Sequence, residues 1–452
     1  MSDMQRSFVE VVDHAQNRLS AQEHFIATLA GEETDFVRMN HGRVRQAGHV
    51  RQAMLGFRFL RENRSVDGTL SLSGNMEDDR ARLDALIVDL REAAAVLPQD
   101  PYFLVCTDAA TTAASAAAVL GTHRRDTALS KPHDAVAAIA DLAKGRDLVG
   151  IWASGTVMRG LISSYGKRRW REAESFHFDW SVYLSGDKAA KSSFAGTAWN
   201  EAELAQRFRR MDQELEVLAR PPRTVPPGEY RAYLSPSAMG EILDVLSWNG
   251  FSKKAQATKQ SPLMRLADGT ASLDPRITVS ENVAGGLAPP WNANGFDKPD
   301  LVPLIASGQH AGALVSPRSA REYDATTNGA DDGETPTSLD MTAGDLPLAE
   351  AAKRVGDGVF VNNLWYLNFS DRTQGRITGM TRFATFLVEG GELVCPLNVM
   401  RFDDSIFRLF GPGLVALTRE RELMPSTSTY SARSVASAHL PGAVVQGFRF
   451  TL

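Results

Sequence analysis

The stretch NNLWYLNFSDRTQGRITGMTRFATFLVEGGELVCP, residues 362–396, decides the fold. Leu364-Trp365-Tyr366-Leu367 and the run 383–388 are aromatic, aliphatic and β-branched, of strand length, and bounded by turn residues. Between them lies a polar segment punctuated by glycine, Arg372-Thr373-Gln374-Gly375-Arg376-Ile377-Thr378-Gly379. Gly390-Gly391 is the kind of dipeptide that accepts positive φ twice, which predicts a tight hairpin returning through Leu393-Val394-Cys395. Residues this large and this polar, side by side, predict a groove wall whose backbone groups stay free on one side.

Outward from there, the segment RPPRTVPPG (220–228) is the best linker in the chain, because proline stiffens an extended backbone and ends a helix. It predicts an N-terminal domain over 1–220, a linker at 221–228 and a second domain over 229–452. In the first, Phe8, Val11, Val12, Ala15 and Leu19 recur at helical spacing. Strand-like runs follow at 24–30, 35–39, 43–47, 52–60 and 68–72, with Asn40-His41-Gly42 as a hairpin turn, then a helix over 76–97 stopped by Pro98. The Ala- and Thr-rich run 107–129 fits no element. A helix to Ala143, strands at 147–159, 161–165, 173–184 and 192–198, and a charged amphipathic helix over 201–218 complete that half. The second half opens with a strand at 230–234 and a helix capped by Ser235-Pro236-Ser237, and is otherwise mostly strands and Gly-rich loops. The fold class is α+β: a helix-and-antiparallel-sheet domain followed by a β-rich one.

A chain of 452 residues is too long for one core, and 43% hydrophobic with 23% charged residues is an ordinary globular composition. A net charge of −5 gives no overall pull toward nucleic acid, and the basic run Lys167-Arg168-Arg169 with Arg171 reads as a solvated face. Two cysteines, Cys106 and Cys395, exclude a disulfide framework. The first residues lack the basic patch and apolar run of a signal peptide, and no apolar stretch reaches the roughly 18–20 residues of a membrane span. The expected location is the cytoplasm, with no membrane and no nucleic acid as partner.

An Asn-rich strand, the turn Thr378-Gly379-Met380-Thr381-Arg382 and the run Val388-Glu389-Gly390-Gly391-Glu392-Leu393-Val394-Cys395-Pro396 resemble, in that order and spacing, the C-terminal domain of the TldD/PmbA metallopeptidase family, formerly "modulator of DNA gyrase". The resemblance is strongest from about Tyr230 onward. It implies that the helix after the linker is where the TldD branch carries H-E-x-x-x-H, two zinc-binding histidines and a glutamate base. Here that helix reads GEILDVLSWN (240–249), with Asp244 and Asn249 where the histidines would fall and Val245 in place of the glutamate. Those three residues supply neither the soft nitrogen donors nor the base. The family's third ligand, a cysteine near the C-terminus, is also missing from 424–437, and Cys395 reads as a small buried hydrophobe.

Other candidate chemistry falls away. His177 and Asp179 share a face of an alternating strand, which reads as structural; Ser185-Gly186-Asp187-Lys188 matches S-x-x-K but on a turn; and the glycines at 375, 379, 390 and 391 form no phosphate loop. What survives is binding. Asn362, Asn363, Trp365 and Tyr366, with Asn368, alternate amides with aromatic bulk suited to an extended peptide added at a strand edge; Arg376 and Arg382, beside Thr378 and Gly379, can take a carboxylate. An ordinary sheet would use the same aromatics as core and edge residues. The resemblance implies a PmbA/TldE-like subunit without metal or cofactor of its own, inactive alone, completing a peptide-binding chamber for a zinc-bearing TldD-like partner that hydrolyses unfolded peptides. Peptide maturation is the implied setting. The alternative is an autonomous homodimeric peptide-binding protein, or a hydrolase with a site of another kind.

Overall fold

Alternation along the first strands puts apolar residues on one sheet face and polar residues on the other, and the rest of the architecture follows from that split. The computed structural model describes residues 2–107, 122–124, 127–186, 188–429 and 431–451. Most of the Ala- and Thr-rich run therefore lies outside the described residues. Helix α1 (Asp3–Gln16) is capped by the Ser2 side chain, which accepts from the Gln5 amide. Strands β1 (His24–Asn40), β2 (Arg43–Arg61) and β3 (Arg64–Ser71) form a meander, and α2 (Met76–Val96) follows under an Asn75 cap. After β4 (Thr122–Arg124) and α3 (Pro132–Ala143) come β5 (Asp147–Ser163), β6 (Arg168–Ser185), β7 (Lys188–Gly196) and α4 (Glu201–Leu218). The seven strands make one sheet in the order β3-β2-β1-β5-β6-β4, with β7 also on β6.

The apolar face of this sheet carries the helices. Phe25, Leu29, Phe57 and Trp170 pack with Phe8 of α1 and Leu83 and Ile87 of α2. At the other end Trp152, Phe178 and Trp180 pack with Ile139 of α3 and Phe208 of α4; the Trp180 and Phe208 rings stack at 5.2 Å. The opposite face presents Glu32, Thr34, Ser175, His177 and Asp179.

The second sheet comprises β8 (Gly228–Leu234), β9 (Val279–Glu281), β10 (Val302–Ala306), β11 (Gln309–His310), β12 (Ser338–Met341), β13 (Gly358–Asp371), β14 (Arg376–Glu389), β15 (Glu392–Pro396), β16 (Arg401–Ser405), β17 (Leu414–Pro425) and β18 (Ser437–Phe450). Because β8 pairs with both β13 and β18, the strands β18-β16-β14-β13-β8 close into a ring. The helix α5 (Pro236–Ser247), capped by Ser235 with Pro236 in its first turn, sends Met239, Ile242 and Leu246 into the core of this half. The fold is α+β, and Gly390 (φ 59°) and Gly391 (φ 82°) turn β14 into β15 as a tight hairpin.

Three features tie the halves together. Ala384 and Phe386 of β14 belong to the same apolar cluster as Trp180 and Phe208. The proline-rich segment is held along its way: the Arg223 amide donates to Pro396 O at 2.9 Å and the Asn398 amide to Arg223 O at 2.9 Å. Between β17 and β18 the chain crosses the polar face of the first sheet, where the buried Arg433 donates to Ser175 Oγ at 2.8 Å and its own amide donates to Glu32 at 3.1 Å. The basic run is occupied by ion pairs: Lys167 and Arg169 with Asp297, both at 3.4 Å, and Arg168 with Asp13.

Candidate functional site

The polar face of the first sheet and the outer stripe of α5 enclose a cleft of about 610 Å³. Its residues come from distant parts of the chain. His177 and Asp179 of β6 line one wall with Lys191 of β7; Ser237, Gly240, Glu241 and Asp244 line the other, a spacing of three and four that keeps them on one side of α5. Asn363 of β13 and the segments on either side of the Arg433 crossing complete it.

The cleft is acidic and incompletely paired. Glu241 and Asp244 reach solvent. Loss of surrounding water pushes the Glu241 carboxyl above its ordinary range, helped by Asp244 and opposed by Lys191. The Asp244 carboxyl is raised by the same desolvation, against a hydrogen bond from Trp248. Asp179 Oδ2 lies 3.3 Å from Lys191 Nζ, whereas its Oδ1 is buried without a hydrogen-bond partner among the described residues. His177 is 2% exposed, and neither ring nitrogen has a partner among the described residues. Burial first, and then the Arg433 charge, lower its pKa to about 4, so the imidazole is neutral at pH 7.

Behind this cleft a smaller cavity of about 70 Å³ is lined by Arg207, Arg210, Glu214, Tyr233, Asn362 and Glu422. Burial raises the Glu214 carboxyl to about 7, against a hydrogen bond from Asn362 and the charge of Arg210.

The candidates on β13 and β14 are divided among these surroundings. Asn362 and Asn363, neighbours on a pleated strand, point to the small cavity and the large cleft respectively. Past Val361, β13 pairs with β14 alone among the described residues, and the Asn362 carbonyl accepts from the Ser235 hydroxyl. Trp365 and Tyr366 are 46% and 77% exposed, and Tyr366 (φ 59°) and Phe383 (φ 56°) mark kinks where the ladder with β14 shifts register. The exposed Arg382 guanidinium sits 4.1 Å from the centre of the Trp365 ring, a cation–π contact. Arg376 pairs with Asp403, the Thr378 hydroxyl donates to Phe402 O at 2.8 Å, and Gly379 is buried where a Cβ would lie 2.9 Å from both Leu367 and Phe402. These contacts tie β14 to its neighbours, with Arg376 and Thr378 half-buried and Gly379 in the interior.

On α5, Asp244 faces the cleft, Val245 is buried in the core and Asn249 stands past the helix end at φ 70°. The helix offers carboxylates where a zinc helix needs imidazoles, and among the described residues no group of three His, Cys, Asp or Glu side chains is placed to hold a metal ion. Zinc does not fit this donor set. Cys395 is buried on β15 as a free thiol, as is Cys106 in its own surroundings.

Residues 227–451 match the family model of the PmbA/TldA metallopeptidase C-terminal domain. This chain belongs to the TldD/PmbA family. Solved structures with the same fold include TldE from Thermococcus kodakarensis (13% identity, 100% of each chain covered, TM-score 0.72). A Bacteroides thetaiotaomicron protein (15% identity, 100% of this chain and 99% of that one, TM-score 0.73) and a Thermotoga maritima protein (12%, 99% and 100%, TM-score 0.72) are both provisionally labelled modulators of DNA gyrase. No curated protein matches the sequence. Within this family member the large cleft draws on residues that sequence reasoning set aside or passed over. The alternation Phe176-His177-Phe178-Asp179 was the available signal for one wall, and the helical spacing of Gly240, Glu241 and Asp244 for the other.

Proposed function

We propose that this family member is a non-catalytic subunit of the TldE/PmbA type, which binds unfolded peptides and presents them to a zinc-bearing TldD-like partner. The observation behind this reading is the helix α5: at the family's metal helix it places Asp244 on the cleft, Val245 in the core and Asn249 outside. A chamber wall remains where a metal site would be. The edge of β13 beyond Asn362, whose carbonyl already accepts from the Ser235 hydroxyl, offers backbone groups to an extended peptide, and the exposed Trp365, Tyr366 and Arg382 lie along the same strand pair. Such aromatics also suit contact with a partner chain, either the TldD-like subunit or a second copy.

The same reading places the protein in the cytoplasm; no helix among the described residues is long and apolar enough to cross a membrane. It divides the chain into domains at 1–220 and 229–452 joined by 221–228, in keeping with the change of sheet between β7 and β8. The test is elemental analysis and peptidase assay of the purified chain, alone and after co-expression with a zinc-bearing homologue. The expected result is no zinc and no cleavage alone, and a stable complex with chelator-sensitive cleavage together. Near-stoichiometric zinc with chelator-sensitive cleavage by the lone chain would overturn it.

A further inference from the structure

The cleft holds three buried acceptors with nothing to accept. Asp179 Oδ1 and Asn363 Oδ1 have no hydrogen-bond partner among the described residues, and the neutral His177 has none at either ring nitrogen. Leaving such groups unpaired is costly, and native structures rarely carry several around one cavity without a use for them. The opposite wall adds charge of one sign. Among the described residues neither Glu241 nor Asp244 has an ion-pair partner, and the one cation lining the cleft, Lys191, is engaged with Asp179. Partial desolvation raises both carboxyls although they reach solvent, and an arriving cation opposes that effect.

We propose that this cleft is an ammonium-binding subsite, in which Asp179, Glu241, Asp244, Asn363 and His177 receive a lysine side chain or amino terminus of a bound peptide. An ammonium carries three donors and no acceptor, the complement of this wall. It brings the charge that the acidic side lacks, and the volume of about 610 Å³ admits the flanking residues as well. The neutral imidazole keeps an N–H that can donate to a peptide carbonyl while its other nitrogen accepts. This inference rests on the peptide-binding reading for the ligand, but the subsite itself stands on the residues.

The test follows the His177 imidazole signal by NMR in the full chain, assigned with a His177→Gln variant, during titration with n-butylammonium chloride or n-butanol. A saturable shift is expected with the ammonium alone, its affinity reduced about tenfold or more in the Glu241→Gln/Asp244→Asn double variant. Binding of three peptides is then measured by calorimetry: acetyl-Ala-Lys-Ala-amide, acetyl-Ala-norleucine-Ala-amide and unblocked Ala-norleucine-Ala-amide. The lysine peptide should exceed the blocked norleucine peptide about tenfold; equal gain in the unblocked peptide identifies the amino terminus as an alternative source of the ammonium. An unmoved His177 signal, or a shift that the double variant retains in full, overturns the subsite. If butylammonium binds as described and no peptide does, the subsite stands and the peptide-binding reading falls. Peptides that bind without preference, together with an unmoved His177, leave that reading intact and remove the subsite.

Discussion

Phe386→Ala tests whether the two sheets unfold as one body. Phe386 lies on β14 of the second sheet, is 0% exposed, and packs in the cluster that contains Trp152, Trp180 and Phe208 of the first half. Removing a fully buried phenylalanine costs about 3–5 kcal/mol, the sum of lost burial and the cavity left behind. With a urea m-value near 3 kcal/mol/M, the midpoint should fall by about 1–1.7 M. The buried tryptophans report mainly from the other side of the junction: Trp152, Trp170 and Trp180 belong to the first sheet and Trp291 packs on its Ile26, Leu60 and Leu161, whereas Trp248 and Trp365 of the second half are exposed. Tryptophan fluorescence is therefore expected to show the whole shift, coincident with the far-UV circular dichroism transition. A fluorescence midpoint that stays at the wild-type value while the dichroism splits into two steps would refute a shared core.

Two further outcomes follow from the geometry. Glu23 lies 2.7 Å from the Arg91 guanidinium, which, with the Ser20 amide, lowers its pKa from 4.5 to about 2 against the effect of burial. A depressed carboxyl stabilises the fold above pH 4.5 and loses that contribution as pH falls toward 2, so Glu23→Gln should lose about 1–2 kcal/mol at pH 7, allowing for the solvent around Arg91. Its urea midpoint should then vary less than wild type between those pH values, and parallel profiles would contradict the pairing. For function, Arg382→Ala or Trp365→Ala is expected to slow peptide turnover by the reconstituted pair about fivefold while the partner keeps its zinc. Acidic peptides should suffer more than neutral ones with Arg382→Ala; equal losses would remove the carboxylate role.

Elements whose signals are local were readable from the sequence. The bounds of α4 follow from its amphipathic spacing and the Asn200 cap, and both the His41-Gly42 and Gly390-Gly391 turns follow from their tolerance of positive φ. Errors arose where a distant partner overrides local chemistry. The polar run Gly31-Glu32-Glu33-Thr34 reads as a break between two short strands, yet β1 runs through it, because Glu32 and Thr34 are buried and the Arg433 amide, 401 residues away, donates to Glu32. Gly160 likewise reads as a break in β5. It is a point of close approach instead, where a Cβ would lie 2.7 Å from the Phe8 ring and 3.0 Å from Trp170. The 362–396 stretch was legible as strands and hairpin, but the opposite directions of Asn362 and Asn363 depend on what packs to either side. The cleft was the least legible part, since β6, α5 and β13 meet only in the folded chain.

The Arg433 crossing has a consequence for the order in which a ribosome delivers this protein. The first sheet is complete in sequence by Gly196, but the amide that binds its buried Glu32 emerges 401 residues after that carboxylate. At roughly 5–20 residues per second, the completed nascent sheet waits about 12–47 s for Arg433 with its polar seam open to water. Only the last stretch of translation lays the segment carrying Arg433 across that seam and walls the cleft. A nascent chain stalled at β17 would carry the aromatic clusters of the first sheet but neither β18 nor a finished chamber, so competence to bind arrives with the final residues rather than growing with the chain.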